Sequence, residues 1–292
     1  MAKQTVSRTA LGAAICRMIE QYQPLKSRLF DDPVAKELVG WPIRLMMQSG
    51  AMRKLTVQQT DAVAKGIYGA QVCRTRYIDE VVQSAISQGI RQLVIMGAGY
   101  DTRPYRLPEL TSVRVFEIDL PAVQADKKKK LQKYLGHLPD RVTFIPMDFD
   151  TQGLETVLSG TAFEAAKPAI FLWEGVTQYI SEEAVRRTLG FVGKLAPGSS
   201  LVFTYVLKSI IERRSDIPDA DHMMDVVAKQ SPWIFGMEPS GVSDFLKQYD
   251  LTLAADVGNA DYQERYLKPR ERSLAVFEGE RIVQATVGGG PD

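Results

Sequence analysis

Two glycines and two acids at a fixed spacing are the residues of this chain best placed to do chemistry. Gly97-Ala98-Gly99 ends the apolar run Leu93-Val94-Ile95-Met96, and Glu117 and Asp119 end a second run through Val113, Val115 and Phe116. Glycine lets a backbone approach a ligand, and a carboxylate about 20 residues later can accept hydrogen bonds from ribose hydroxyls. Glu117 keeps that spacing from Gly97, and Asp119 keeps it from Gly99. A dinucleotide site needs a third glycine where this chain has Thr102, because a helix N-terminus must face a pyrophosphate there. The chain reads Tyr100-Asp101-Thr102-Arg103-Pro104 instead, and the Asp101 carboxylate suits a cation better than a phosphate. S-adenosylmethionine meets that description, with an adenosine, no phosphate, and a positive amino group and sulfonium. Taken alone, the Gly-x-Gly also reads as a tight βα turn.

These residues need a scaffold, and the chain supplies one from Gln92 onward. Apolar runs alternate with helical periods, which predicts an α/β fold with a mainly parallel sheet. Strands are expected near 92–97, 113–118, 142–145, 168–174, 199–206, 251–257 and 272–277. The clearest helix starts after Ser181, carries Glu182 and Glu183 in its first turn, repeats Val185, Leu189, Val192 and Leu195, and is expected to end near Pro197-Gly198. The first ninety residues read as helices, with Leu11, Ala14, Ile15, Met18, Ile19 and Tyr22 at helical spacing. Ile78, Val81, Val82, Ala85 and Ile86 repeat likewise before Gly89 as a stop. Prolines and the cluster Trp233-Ile234-Phe235-Gly236 interrupt the rhythm between Lys208 and Pro239, which is expected to form a lid over the substrate. The expected organisation is one domain over 1–292: a helical cap at 1–90, a Rossmann-like core at 91–207 and 240–281, and a lid insertion at 208–239. The terminal Gly288-Gly289-Gly290 reads as a frayed tail.

The 292 residues are 45% hydrophobic and 24% charged, the composition of an ordinary soluble globular protein. Lys and Arg number 36 against 35 Asp and Glu, so a net charge of +1 gives no global attraction to nucleic acid or to an anionic membrane. Lys127 to Lys130 with Lys133 follow Pro121 on an expected helix and read as its solvated face. The start MAKQTVSRTA lacks the apolar core of a signal peptide, and no stretch approaches the eighteen or so apolar residues of a membrane span. A cytoplasmic protein without nucleic-acid or membrane partners is expected, and no motif points to a particular oligomeric state. Cys16 and Cys73 fall in helical patterns and read as reduced, packed thiols. With only His137 and His222 beside them, no metal site is expected.

Five motifs in order carry a resemblance: Arg74-Thr75-Arg76-Tyr77-Ile78-Asp79, Gly97 to Arg103, Glu117-Ile118-Asp119-Leu120-Pro121, Asp148-Phe149, and Glu174-Gly175-Val176-Thr177-Gln178-Tyr179. Over roughly residues 5 to 280 the chain resembles the leucine carboxyl methyltransferase family, and more closely its bacterial branch of S-adenosylmethionine-dependent methyltransferases. The resemblance implies a class I methyltransferase sheet of seven strands, the last antiparallel. It also implies that Arg74 pairs with the cofactor carboxylate, that Gly97, Ala98 and Gly99 approach the methionine moiety, and that Asp119 takes the ribose hydroxyls. Asp148 and Phe149 would flank the adenine, and Glu174 would face the amino group or the methyl-transfer site. Where the family's eukaryotic namesakes bear a lysine near the N-terminus, the nearest basic residue here is Arg8.

Methyl transfer from a sulfonium to oxygen is an in-line displacement for which a protein supplies alignment and water exclusion. A carboxylate acceptor is already ionised at pH 7 and needs no base, which the shortage of histidines fits. A phenol or alcohol would call on His222 or Glu174. Tyr179, Tyr205, Trp233 and Phe235 could line an apolar acceptor pocket, with Tyr205 equally suited to the core. The expected activity is therefore O-methylation of a small organic molecule, a carboxyl group ahead of a hydroxyl. The alternatives are methylation of a protein's C-terminal carboxylate, a non-catalytic cofactor-binding module, and a nicotinamide-dependent oxidoreductase, which the missing third glycine opposes.

Overall fold

The structure, a computed structural model, describes residues 2–288, with side chains for residues 9–229 and 231–288. Five helices precede the sheet: α1 (Ala2–Glu20), α2 (Ala35–Leu38), α3 (Trp41–Met46), α4 (Gly50–Asp61) and α5 (Ile67–Ser87). The alternating part then runs β1 (Gln92–Met96), α6 (Arg103–Arg106), β2 (Arg114–Asp119), α7 (Pro121–Leu135), β3 (Val142–Pro146), α8 (Leu154–Ser159), β4 (Ile170–Trp173), α9 (Glu182–Val192) and β5 (Ser200–Val206). After it come α10 (Lys208–Ile211), α11 (Ala220–Gln230), α12 (Pro239–Lys247), β6 (Leu251–Val257), α13 (Asn259–Tyr262) and β7 (Glu280–Val287).

The seven strands form one sheet in the order β3-β2-β1-β4-β5-β7-β6. β7 is antiparallel to both neighbours, while the other pairings are parallel. All five residues of β1 are buried, as a central parallel strand covered on both faces requires. Its side chains alternate: Leu93 and Ile95 join the core shared with α1 and α5, whereas Val94 and Met96 join the core shared with α9. Strand order reverses between β1 and β4, which opens a crevice at the carboxyl ends of these strands.

Local signals explain most boundaries. Ser181 Oγ accepts the Ala184 N–H at 3.2 Å and caps α9, as its sequence predicts, but the helix ends at Val192, before Pro197-Gly198. Gly89 takes φ +98° after α5, where Ile90 N–H returns to the Ala85 carbonyl at 3.1 Å. The seventh strand lies at 280–287 and not at 272–277. The apolar run Leu274 to Phe277 instead lies across the start of α5, with Phe277 N–H donating to the Gly66 carbonyl at 2.9 Å. A Cβ on Gly69 would stand 1.9 Å from the Ala275 carbonyl oxygen, so the glycine leaves room for this crossing.

The segment after β5 leaves the sheet and returns to it. Lys208 N–H donates to the Met237 carbonyl and Met237 N–H to the Val206 carbonyl, both at 3.0 Å, so the excursion is stapled at its base. No helix among the described residues is long and apolar enough to cross a membrane. Cys16 and Cys73 are buried free thiols. The terminal glycines beyond 288 lie outside the described residues.

Candidate active site

A cavity of about 780 Å³ occupies the crevice at the ends of β1, β2 and β4, closed on its other sides by α1, α4, α5 and α11. The glycine turn forms its floor. Gly97 and Gly99 take φ +66° and +39°, where an L side chain is strained. A Cβ on Gly97 would also stand 2.2 Å from Val176 Cγ2, so Val176 needs this glycine whatever the ligand does.

Of the two acids at ribose spacing, only Asp119 reaches the cavity. Its Oδ2 accepts the Gly99 N–H at 2.5 Å and its Oδ1 the Leu120 N–H at 2.6 Å, which fixes the carboxylate beside the turn. Burial pushes its pKa up, against the pull of those two N–H groups. Glu117 lies beneath, fully buried, with Lys127 at 2.7 Å and the Tyr105 hydroxyl donating to it at 2.8 Å. Lys127 is thus no part of a solvated face. Its neighbour Lys130 also turns back, to Asp126 and the Tyr100 hydroxyl.

Arg74, on α5, projects into the cavity wall between two carboxylates. Its Nε–H donates to Glu174 at 2.8 Å, Nη1 to both oxygens of Glu280 at 2.6 and 2.8 Å, and Nη2 to Gln71 at 2.8 Å. All three guanidinium nitrogens are therefore engaged, Nη2 by the neutral Gln71 side chain and not by a carboxylate. Glu174, just past the end of β4, also accepts from Arg103 at 2.8 Å. Burial would raise its carboxyl, but the Arg103 and Arg74 guanidinium groups pull it down to about 2. Asp101 behaves alike: burial opposes ionisation, and Arg103, through its guanidinium at 2.6 Å and its backbone N–H at 2.7 Å, holds the carboxyl below its ordinary value.

Asp148 and Phe149 stand at the third strand's end. Asp148 is exposed and lines the cavity mouth, and Phe149 is buried against Trp173 with ring centroids 5.8 Å apart. Tyr179 and Trp233 line the cavity as expected of pocket aromatics, but Tyr205 and Phe235 do not. Tyr205 is core, its hydroxyl donating to Asp256 at 2.9 Å, and Phe235 packs on Phe245. His222 is exposed on α11 and absent from the cavity lining, so the structure does not bring it to the site. The Arg8 side chain lies outside the described residues.

Sequence reading missed Arg103, Arg17 and Glu280, although all three bear on the site. Arg103 stands in the quoted glycine motif beside its partner Asp101, but its other partners Asp79 and Glu174 are 24 and 71 residues away, so nothing local marks its link to them.

Three comparisons place this geometry among known proteins. The sequence model of the leucine carboxyl methyltransferase family matches residues 10–193. YktD of Bacillus subtilis (strain 168), classed as an S-adenosyl-L-methionine-dependent methyltransferase, is 26% identical over 98% of this chain and 99% of its own length. Franean1_4929 of Parafrankia sp. (strain EAN1pec), classed likewise, is 31% identical over 80% of this chain and 73% of its own. Among solved structures, a Thermobifida fusca YX protein classed as a methyltransferase shares the fold with a TM-score of 0.62 at 15% identity, covering 82% of this chain and 90% of that one.

Proposed function

The chain belongs to the leucine carboxyl methyltransferase family, and from that premise we propose that it transfers a methyl group from S-adenosylmethionine to an oxygen of a small organic acceptor, a carboxylate ahead of a hydroxyl. The residues present fit the cofactor: the Nη2 end of Arg74, which meets Gln71 and not a carboxylate, suits its carboxylate, Glu174 its amino group, Asp119 the ribose, and Asp148 with Phe149 the adenine. Gly97, Ala98 and Gly99 would lie along the methionine moiety, with Asp101 facing its cationic end. When bound, the cofactor supplies an electrophilic methyl whose bonding pair stays with sulfur.

One observation carries the carboxylate preference: among the described residues no histidine lines the cavity, and Glu174, Glu280, Cys16 and Tyr179 on its walls are poorly suited to act as a base near neutral pH. Glu174 is held to about 2 by two arginines, and Glu280 is gripped through both oxygens by Arg74. Burial pushes the Cys16 thiol up to about 12 and raises the Tyr179 phenol, so both stay protonated. An acceptor that arrives already ionised, as a carboxylate does, needs no such base. Val63, Ile67, Met223, Val227, Trp233 and Phe277 supply apolar wall for the rest of an organic acid, and the segment 208–239 that contributes three of them is proposed to close over it.

The test is transfer of labelled methyl to a panel of carboxylic acids. A methyl ester releases labelled methanol in mild alkali, whereas an alkali-stable ether would overturn the carboxylate reading. Arg74→Ala and Asp119→Ala should each weaken S-adenosylhomocysteine binding by about 1.5–3 kcal/mol, as expected for lost hydrogen bonds to charged groups. Unchanged affinity in both would remove these residues from the cofactor site.

A further inference from the structure

Eight ion pairs join the site to the interior in one buried network. Arg17 meets Asp32 at 3.0 Å, Arg106 meets Asp32 at 3.6 Å and Asp79 at 2.7 Å, and Arg103 meets Asp79, Asp101 and Glu174 at 2.6–2.8 Å. Arg74 closes the series on Glu174 and Glu280. No member side chain is more than 15% exposed. The network holds four arginines and five carboxylates, so among the described side chains it has one negative charge in excess.

A buried charge without a counter-ion is costly, and the cost falls when a cation arrives. The excess faces the cavity, because Asp101, Glu174 and Glu280 line it. These three are not equally compensated. Glu174 touches two arginines, and Asp101 adds a backbone N–H to its one, whereas among the described side chains Glu280 pairs with Arg74 alone. Methyl transfer changes the ligand's charge at this place: the sulfonium cofactor carries a net +1 at neutral pH, and its thioether product carries none.

We infer that Glu280 is a further cofactor-facing residue, whose under-compensated carboxylate makes the site favour the sulfonium cofactor over its neutral thioether product. The inference rests on the cofactor assignment above. It gives the chain a means of product release, since loss of the cation restores the charge excess.

Calorimetry on wild type, Glu280→Gln and Glu280→Asp tests it, with S-adenosylmethionine, S-adenosylhomocysteine and the amine analogue sinefungin, and with melting curves to verify folding. Wild type should prefer the two cationic ligands by about tenfold, a modest share of what a nearby buried unit charge can supply. Glu280→Gln, which keeps the shape and an acceptor for Arg74, should lose about tenfold on both cationic ligands while S-adenosylhomocysteine changes less than about twofold. Glu280→Asp should regain part of the preference. Equal losses for all three ligands would make Glu280 a mere prop for Arg74 and overturn the inference, as would no loss at all. Failure of wild type to bind any of them overturns the cofactor assignment as well.

Discussion

Lys127 Nζ stands 2.7 Å from Glu117 Oε2, both side chains shut off from solvent, and lies 3.4 Å from the Ala98 carbonyl of the glycine turn. The pair lies beneath the cavity floor. It is reached because α7 turns Lys127 and Leu131 inward, whereas Lys128, Lys129 and Lys133 face out. Lys127→Met should cost about 3–5 kcal/mol, because it strands the Glu117 carboxylate in the core. Adding Glu117→Leu should recover part of that loss. Urea unfolding of the single and double variants decides it, and a single variant as stable as wild type would show that the pair is dispensable.

Gly97 and Val176 make a second such relation, this time steric. An added Cβ at Gly97 meets Val176 Cγ2 at 2.2 Å, and the backbone there is left-handed at φ +66°. Gly97→Ala should therefore lower stability through both collision and strain. Val176→Ala in the same chain removes the collision and should leave only about 1–2 kcal/mol, the cost of an L residue in that conformation. Equal unfolding midpoints for the single and double variants would refute the collision.

What could be read in the sequence follows from distance along the chain. Gly97, Asp119 and Glu174 are legible as cavity-lining residues because each sits at the carboxyl end of a buried parallel strand, where the run of apolar residues stops and the crevice opens. The Arg74–Glu280 pair spans 206 residues, and no local pattern announces it. Glu117 and Asp119 are two residues apart on one strand, and the choice between them needed Lys127 in place to fill the space beside Glu117. Aromatic residues are ambiguous for a different reason: Tyr205 and Tyr179 have the same chemistry, but a buried partner, Asp256, draws the first into the core. The run at 272–277 misled because its apolar residues are satisfied by packing on α5, a use that β propensity cannot distinguish from a ladder.

Stability in acid should register Glu174. Its folded carboxyl titrates at about 2 against an ordinary 4.5, so its ionic contribution is complete above about pH 4.5 and is lost as the pH falls toward 2. Asp101, also lowered, acts in the same sense, while burial raises Glu117 and Asp119 and makes them oppose the loss. The contribution of Glu174 is isolated by comparison with Glu174→Gln. Wild type should lose stability more steeply than the variant between pH 4.5 and 2, and parallel curves would show that the two arginines do not hold its charge.

The rate of methyl transfer should be nearly flat from about pH 6 to 8, because a carboxylate acceptor is already ionised there and no histidine among the described residues lines the cavity. A carboxylate acceptor has lost its proton near pH 4, Glu174 titrates at about 2, and the Cys16 thiol at about 12. His222 is exposed on α11 and outside the cavity, so His222→Gln should change turnover less than about twofold, well short of the hundredfold that general-base catalysis commonly contributes. Initial rates with any acceptor found in the acid panel, measured across this range in wild type and variant, decide the matter. A rate that climbs through about pH 6.5, with a loss of about a hundredfold in His222→Gln, would mean that α11 delivers the imidazole to a hydroxyl acceptor. It would reject base-free carboxyl methylation.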